Sequence, residues 1–83
     1  MNITAAVKAA IKAHTADPEK YPSRYIARSY RNIFGRECTK IIRLMRDGSF
    51  GDCYDDGESY AESRLDIGDI SAENWKVWRR EDG

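Results

Sequence analysis

The sequence predicts an α+β domain in which two N-terminal helices pack on a small antiparallel sheet of three to four strands. Three observations predict it. Apolar and alanine residues recur at helical spacing between Ile3 and His14. An Asp47-Gly48 dipeptide joins two runs of strand-forming residues and suits the positive φ of a tight hairpin turn. Beyond it, Ala61, Ser63, Leu65 and Ile67 alternate with Glu62, Arg64 and Asp66, the period of a half-buried strand. The expected helices run about 3–14 and 22–34, and the strands about 40–46, 49–54, 59–67 and 75–79, all in one domain spanning 1–83.

In the first helix, Asn2 or Thr4 offers an N-cap, and Ile3, Val7, Ala10, Ile11 and His14 share a face. Interspersed alanines raise helix propensity and let a neighbour approach, while Lys8 and Lys12 point to solvent. Thr15 to Tyr21 is a connector with a turn starting at Asp17-Pro18. The second helix starts at Pro22 or Ser23, with Ile26, Tyr30, Ile33 and Phe34 on its apolar side. Gly35 ends it as a left-handed cap.

Residues 36–46 fit two descriptions. Cys38, Ile41, Ile42 and Met45 have helical spacing, whereas the β-branched pair Ile41-Ile42 and the following Asp-Gly favour a strand. As a strand with a two-residue turn, it sets Arg46 opposite Ser49, Met45 opposite Phe50, Arg43 opposite Asp52, Ile42 opposite Cys53, Ile41 opposite Tyr54 and Lys40 opposite Asp55. Ser71 is a plausible cap for a helical turn over Ala72-Glu73, and Trp75 to Trp78 reads as a last strand. The expected core contains Val7, Ile11, Ile26, Tyr30, Phe34, Ile41 or Ile42, Leu65, Ile67 and Trp75.

A chain of 83 residues has one thin core, since it buries only about 60–65% of its unfolded surface. No apolar run approaches the ~20 residues of a membrane span, and the start of the chain lacks a signal-peptide core, so a soluble cytoplasmic protein is expected. Cys38 and Cys53 are too few for a disulfide framework and are expected to be buried free thiols.

The zero net charge hides an asymmetry. Residues 1–46 carry ten Lys/Arg and three Asp/Glu, whereas residues 47–83 carry four and eleven. This suggests two unlike surfaces, or halves that neutralise each other on folding.

No catalytic motif is present, and no cofactor is implied. Asp52, Asp55, Asp56 and Glu58 approach a calcium-loop spacing, but Tyr54 and Ser63 stand where oxygen-rich ligands are needed. His14 has no second histidine and makes no zinc set with the cysteines. Two binding surfaces remain. Arg24, Arg28 and Arg31, with Lys20 and Tyr25 nearby, would track a phosphate backbone from one helix face. Asp52, Tyr54, Asp55, Asp56, Glu58, Tyr60, Glu62, Asp66 and Asp69 would form an acidic surface that imitates nucleic acid and fills a basic groove on a partner. An exposed Trp78 marking an interface is a third possibility.

The run from Leu65 to Val77, LDIGDISAENWKV, resembles the closing motif of Thoeris anti-defence 2 type phage proteins, in which acidic and aliphatic residues precede a Trp-x-Val strand. The basic helices and acidic meander do not match that family, so no ligand-binding residue transfers. In size, mixed content and lack of catalytic motif the chain also resembles anti-CRISPR proteins in type. These likenesses imply a non-enzymatic phage or mobile-element inhibitor, acting in the bacterial cytoplasm on a defence complex through the acidic surface. The alternative is a small nucleic-acid-binding accessory protein using the arginine face.

Overall fold

The Asn2 side chain accepts a hydrogen bond from the Ala5 N–H at 2.8 Å and starts α1, Ile3–Ala16. The computed structural model describes residues 1–53, 60–62 and 65–79. After α1 come β1 Tyr25–Arg31, β2 Glu37–Leu44, β3 Phe50–Cys53, β4 Tyr60–Glu62, a short helix α2 Ile67–Ser71, and β5 Lys76–Trp78. The strands form one antiparallel sheet in the order β4-β3-β2-β1-β5. The α+β class is therefore as expected, with a single N-terminal helix instead of two and a five-stranded sheet.

The expected second helix over 22–34 is instead β1 and the turn after it. All seven β1 residues pair with β2, and Tyr25, Ile26 and Ala27 also pair with β5. Tyr25, Ile26 and Ala27 are all buried, which a strand achieves by sending successive side chains to opposite faces of the sheet, each holding its own apolar cluster. A helix of this length would have buried only one stripe. Of the two readings of 36–46, the strand holds, as β2. The expected strand over 59–67 is shorter, because Ile67 opens α2. That helix is capped by Asp66 rather than placed after Ser71.

The first hairpin links β1 and β2 through Asn32 to Arg36. The Asn32 N–H donates to the Arg36 carbonyl at 3.0 Å, and the Gly35 N–H donates back to the Asn32 carbonyl at 3.0 Å. The second repeats this pattern: Met45 N–H to Ser49 carbonyl at 2.9 Å, and Gly48 N–H to Met45 carbonyl at 3.1 Å. In each, a turn of two ordinary residues is followed by a glycine at positive φ, +75° for Gly35 and +89° for Gly48. This is the three-residue hairpin loop with a left-handed glycine bulge.

The extra loop residue corrects the expected register by one position. Leu44 faces Phe50, Arg43 faces Gly51, Ile42 faces Asp52 and Ile41 faces Cys53. A two-residue Asp-Gly turn needs positive φ at both residues, and Asp47 does not have it. The expected cross-strand pair of Arg43 with Asp52 is thus not formed as direct neighbours. Tyr54 and Asp55, the other expected partners, lie outside the described residues.

The main core lies between α1 and one face of the sheet. Ala6 and Ala10 press against Ile26, Ile42, Leu44 and Trp75, with Ile3, Val7, Phe50, Leu65 and Val77 packed around them. The other face carries Tyr25, Ala27, Ile41 and Trp78, with Tyr25 and Trp78 edge to face at 5.2 Å. Trp78 is buried, so it is not an exposed interface residue. Four expected core residues are exposed as well: Ile11, Tyr30, Phe34 and Ile67. The last segment is tied to the first, since the Met1 α-amino group donates to the carbonyls of Glu73 and Trp75, and the Trp75 N–H donates to the Met1 carbonyl.

Candidate functional site

The β1–β2 hairpin is longer than the strands beside it. Among the described pairings, β5 supports only Tyr25 to Ala27, and β3 supports only Ile41 to Leu44. Among the described residues, Arg28–Arg31 and Lys40–Glu37 therefore continue as a two-stranded ribbon, ending in Ile33 and Phe34. These two side chains are 93% and 80% exposed, the most uncovered pair of adjacent large apolar residues among those described. Arg31 and Arg36, both exposed, sit on either side of them.

The tip is tied by its own hydrogen bonds. Asn32 Oδ1 accepts from the Phe34 N–H at 2.9 Å and from the Arg36 N–H at 3.0 Å, so one side chain ties both limbs of the loop. Arg31 Nη1 reaches the Gly35 carbonyl at 3.5 Å, and Asn32 Nδ2 lies 3.6 Å from Cys38 Sγ.

A bare two-stranded ribbon is marginal in water; here its base is fastened to α2. Asp69, 3% exposed, takes Arg28 on Oδ1 at 3.0 Å and Lys40 on Oδ2 at 2.7 Å. Arg28 and Lys40 are cross-strand neighbours, so one carboxylate clamps both strands. The same carboxylate accepts from the Asp66 N–H, and Asp66 accepts from the Asp69 N–H at 2.8 Å, a reciprocal capping box. Trp75 Nε1 donates to the Asp69 carbonyl at 2.9 Å, and Asn74 Nδ2 donates to the Ser29 carbonyl at 2.8 Å. Burial pushes the Asp69 carboxyl up, but the hydrogen bonds from Lys40, the Asp66 N–H and Arg28 outweigh it and hold it below the ordinary aspartate value.

This clamp takes Arg28 out of the expected arginine face and Asp69 out of the expected acidic surface. Arg28 is taken up by Asp69, and its guanidinium also stacks near the Tyr30 and Trp75 rings. Arg24 and Arg28 lie on the helix-covered side of the sheet, while Arg31, three residues on, falls on the opposite side. The continuous arginine row required a helix and does not exist on a strand. Of the acidic set, Asp69 is internal and Asp66 serves as a helix cap. Asp52 lies on β3 opposite Ile42 and is partly buried. Tyr60 and Glu62 belong to β4, and Tyr54, Asp55, Asp56 and Glu58 lie outside the described residues.

The remaining chemistry-bearing residues have structural roles. His14 Nδ1 lies 2.7 Å from the Tyr21 carbonyl; the oxygen can only accept, so that nitrogen carries the proton. Both cysteines are free and half-buried. Among the described residues, no three His, Cys, Asp or Glu side chains gather where they could hold a metal ion. No described helix is long and apolar enough to cross a membrane.

Sequence reasoning missed Ile33 and Phe34 as an exposed pair. Asn32 three residues before Gly35 was the available signal, because that spacing suits a turn as well as a helix end. No family model, no curated protein and no solved structure matches this chain.

Proposed function

We propose that this protein acts by binding rather than by catalysis, docking on a partner protein through the β1–β2 hairpin tip. The observation that carries the reading is the exposure of Ile33 and Phe34 on a loop already held by Asn32. Burying each large apolar side chain in a partner's cleft is worth about 1.5–3 kcal/mol. A loop fixed in advance loses little further freedom on binding, so more of that gain appears as affinity. Arg31 and Arg36 flank the pair, which suits a cleft with an acidic rim.

The protein in this reading is a stoichiometric inhibitor or adaptor that occupies a larger complex. A bacterial defence complex is the partner suggested by the likeness in type to anti-CRISPR proteins. The expected contact of the acidic residues with a basic groove belongs to the same proposal, and it rests on the charge pattern alone. The test is a C-terminally tagged pull-down from bacterial lysate, with and without nuclease, comparing the native chain with an Ile33→Ser/Phe34→Ser variant. A nuclease-resistant protein captured by the native chain and lost by the variant, with an unchanged melting temperature, supports the tip. Capture that survives in the variant overturns it. Loss on charge reversal at Asp52, Asp55, Asp56 and Glu58 instead would move the contact to the acidic surface. Self-association that depends on Ile33 and Phe34 would make a second copy the occupant.

A further inference from the structure

Beside α1 lies a second feature, built from residues that the hairpin reading does not use. α1 packs chiefly over β1 and β5, at one side of the strand order, and Ala6 and Ala10 bring it close to the sheet there. The β3 side of the same face is left to Phe50, which faces Leu44 at the margin of the main core. A cavity of about 370 Å³ opens between them, closed at one side by α2. Ile3, Val7, Phe50, Leu65 and Ile70 form its apolar walls. The first four are half-buried, whereas Ile70 is 58% exposed and marks the open side.

Two polar residues complete the described lining, Thr4 and Lys8, one turn apart on α1. Lys8 is its one charged group. The side chain is exposed, and its ammonium makes no ion pair or hydrogen bond among the described residues. α1 also carries no acidic residue in its first turn, so no acidic side chain offsets the partial positive charge at the start of the helix. An apolar hollow thus borders a positive rim.

We infer that this cavity binds an amphiphile with one apolar chain and a single anionic head, a medium-chain fatty carboxylate. The apolar walls take the chain, and each methylene removed from water adds to affinity. A lysine keeps its methylene stem along apolar surface and its ammonium in water. The carboxylate therefore meets Lys8 at the boundary of the cavity, where neither charge has to be stripped of all its water. The lining offers one ammonium and one hydroxyl, enough for one carboxylate and too little for a polar body. The volume lies at the lower end of the range for small-molecule sites, about 300–1,000 Å³, which suits a chain of medium length.

The test is calorimetric titration of the full chain with octanoate, nonanoate and decanoate below their micelle concentrations, and with decyltrimethylammonium as the cationic counterpart. Lys8→Glu is the primary variant, since Lys8 is exposed and outside the core cluster. Ile70→Ser is the second, and Lys76→Glu, exposed on β5, controls for overall charge. Binding that tightens about three- to fourfold per added methylene supports the site. So does a loss of about three- to tenfold in Lys8→Glu that Lys76→Glu does not show. Ile70→Ser should weaken decanoate while leaving the melting temperature of the unliganded protein unchanged. Equal affinity for decyltrimethylammonium, no gain with chain length, an equal loss in Lys76→Glu, or no binding of any carboxylate overturns the inference. Decanoate binding abolished by Ile33→Ser/Phe34→Ser also overturns it, because the chain would then sit at the hairpin tip. A dimer in sedimentation that Ile70→Ser dissociates would make a second copy the occupant. Capture on phosphatidylglycerol vesicles without decanoate binding would make it a membrane surface, and either result rules out the carboxylate.

Discussion

Removing the Asp69 carboxylate should be among the most damaging single changes in the chain. The side chain is 3% exposed, and it satisfies Arg28, Lys40 and the Asp66 N–H at once. Breaking one partner of a buried ion pair costs about 3–5 kcal/mol, because a charge is left uncompensated. Here the abandoned cations have side chains 14% and 18% exposed, so they can recover part of their hydration. For Asp69→Ala we therefore expect about 2–4 kcal/mol, the lower bound set by that rehydration and the upper by the pair-breaking range. A domain of this size has only about 4–12 kcal/mol in total, so the loss corresponds to a fall in Tm of about 10–25 °C. Urea unfolding followed through the fluorescence of the two buried tryptophans, Trp75 and Trp78, is the assay; the Trp75 indole donates to the Asp69 carbonyl. The folded carboxyl is more acidic than the unfolded one. Its contribution is complete above the ordinary aspartate value and is lost as pH falls through the lowered folded value. The native chain should lose stability across that acidic window, and Asp69→Asn should lack this part of the loss. Adding Arg28→Met to Asp69→Ala should cost less than Arg28→Met alone, by a coupling of about 0.5–3 kcal/mol. A cost below about 1 kcal/mol for Asp69→Ala, with no coupling to Arg28, would refute the clamp.

Two further changes test the elements around it. Trp75→Phe keeps most of the buried ring but leaves the Asp69 carbonyl without its indole donor. It should cost about 1–3 kcal/mol in urea unfolding followed by far-ultraviolet circular dichroism, and retention of full stability would show that the bond contributes nothing. Gly48→Ala meets no atom within 4 Å of the added Cβ, so any cost comes from the +89° φ alone. It should destabilise by about 1 kcal/mol on thermal unfolding, whereas no change would mean that the loop is not the left-handed glycine bulge.

The elements legible in the sequence were those with one dominant period. α1 runs where alanine and aliphatic spacing put it, although its tightest contacts are Ala6 and Ala10 rather than the larger Ile11. Short side chains bring the helix close to the sheet, and Ile11 consequently ends at the margin. The Asp-Gly hairpin was also legible, but its register depended on a loop longer by one residue. Dipeptide composition does not distinguish a two-residue loop from a three-residue loop ending in the same glycine. The Leu65 to Val77 run, read as a family-like closing motif, has a local physical meaning: Asp66 and Asp69 cap a short helix, and Trp75 fills the core beneath it.

β1 was misread because its residues satisfy two periods together. Ile26 and Tyr30 are four apart, as are Arg24 and Arg28, which fits a helix; all four are even-numbered, which also fits one face of a strand. Tyr25 and Ala27 decide between them, since they are buried on the other side of the sheet and a helix could not have covered both sets. What makes that face apolar is pairing with Ile41 and Trp78, residues far along the chain. Arg28 was likewise unreadable as an internal residue, because its partner Asp69 lies 41 positions away. The same misreading hid the tip. On a helix, Ile33 and Phe34 complete an apolar stripe and need no explanation; on a hairpin, they are left exposed at its tip. Once the strand is established, their exposure becomes the anomaly, and the hydrogen-bonded loop beneath them is what makes a partner its most direct physical account.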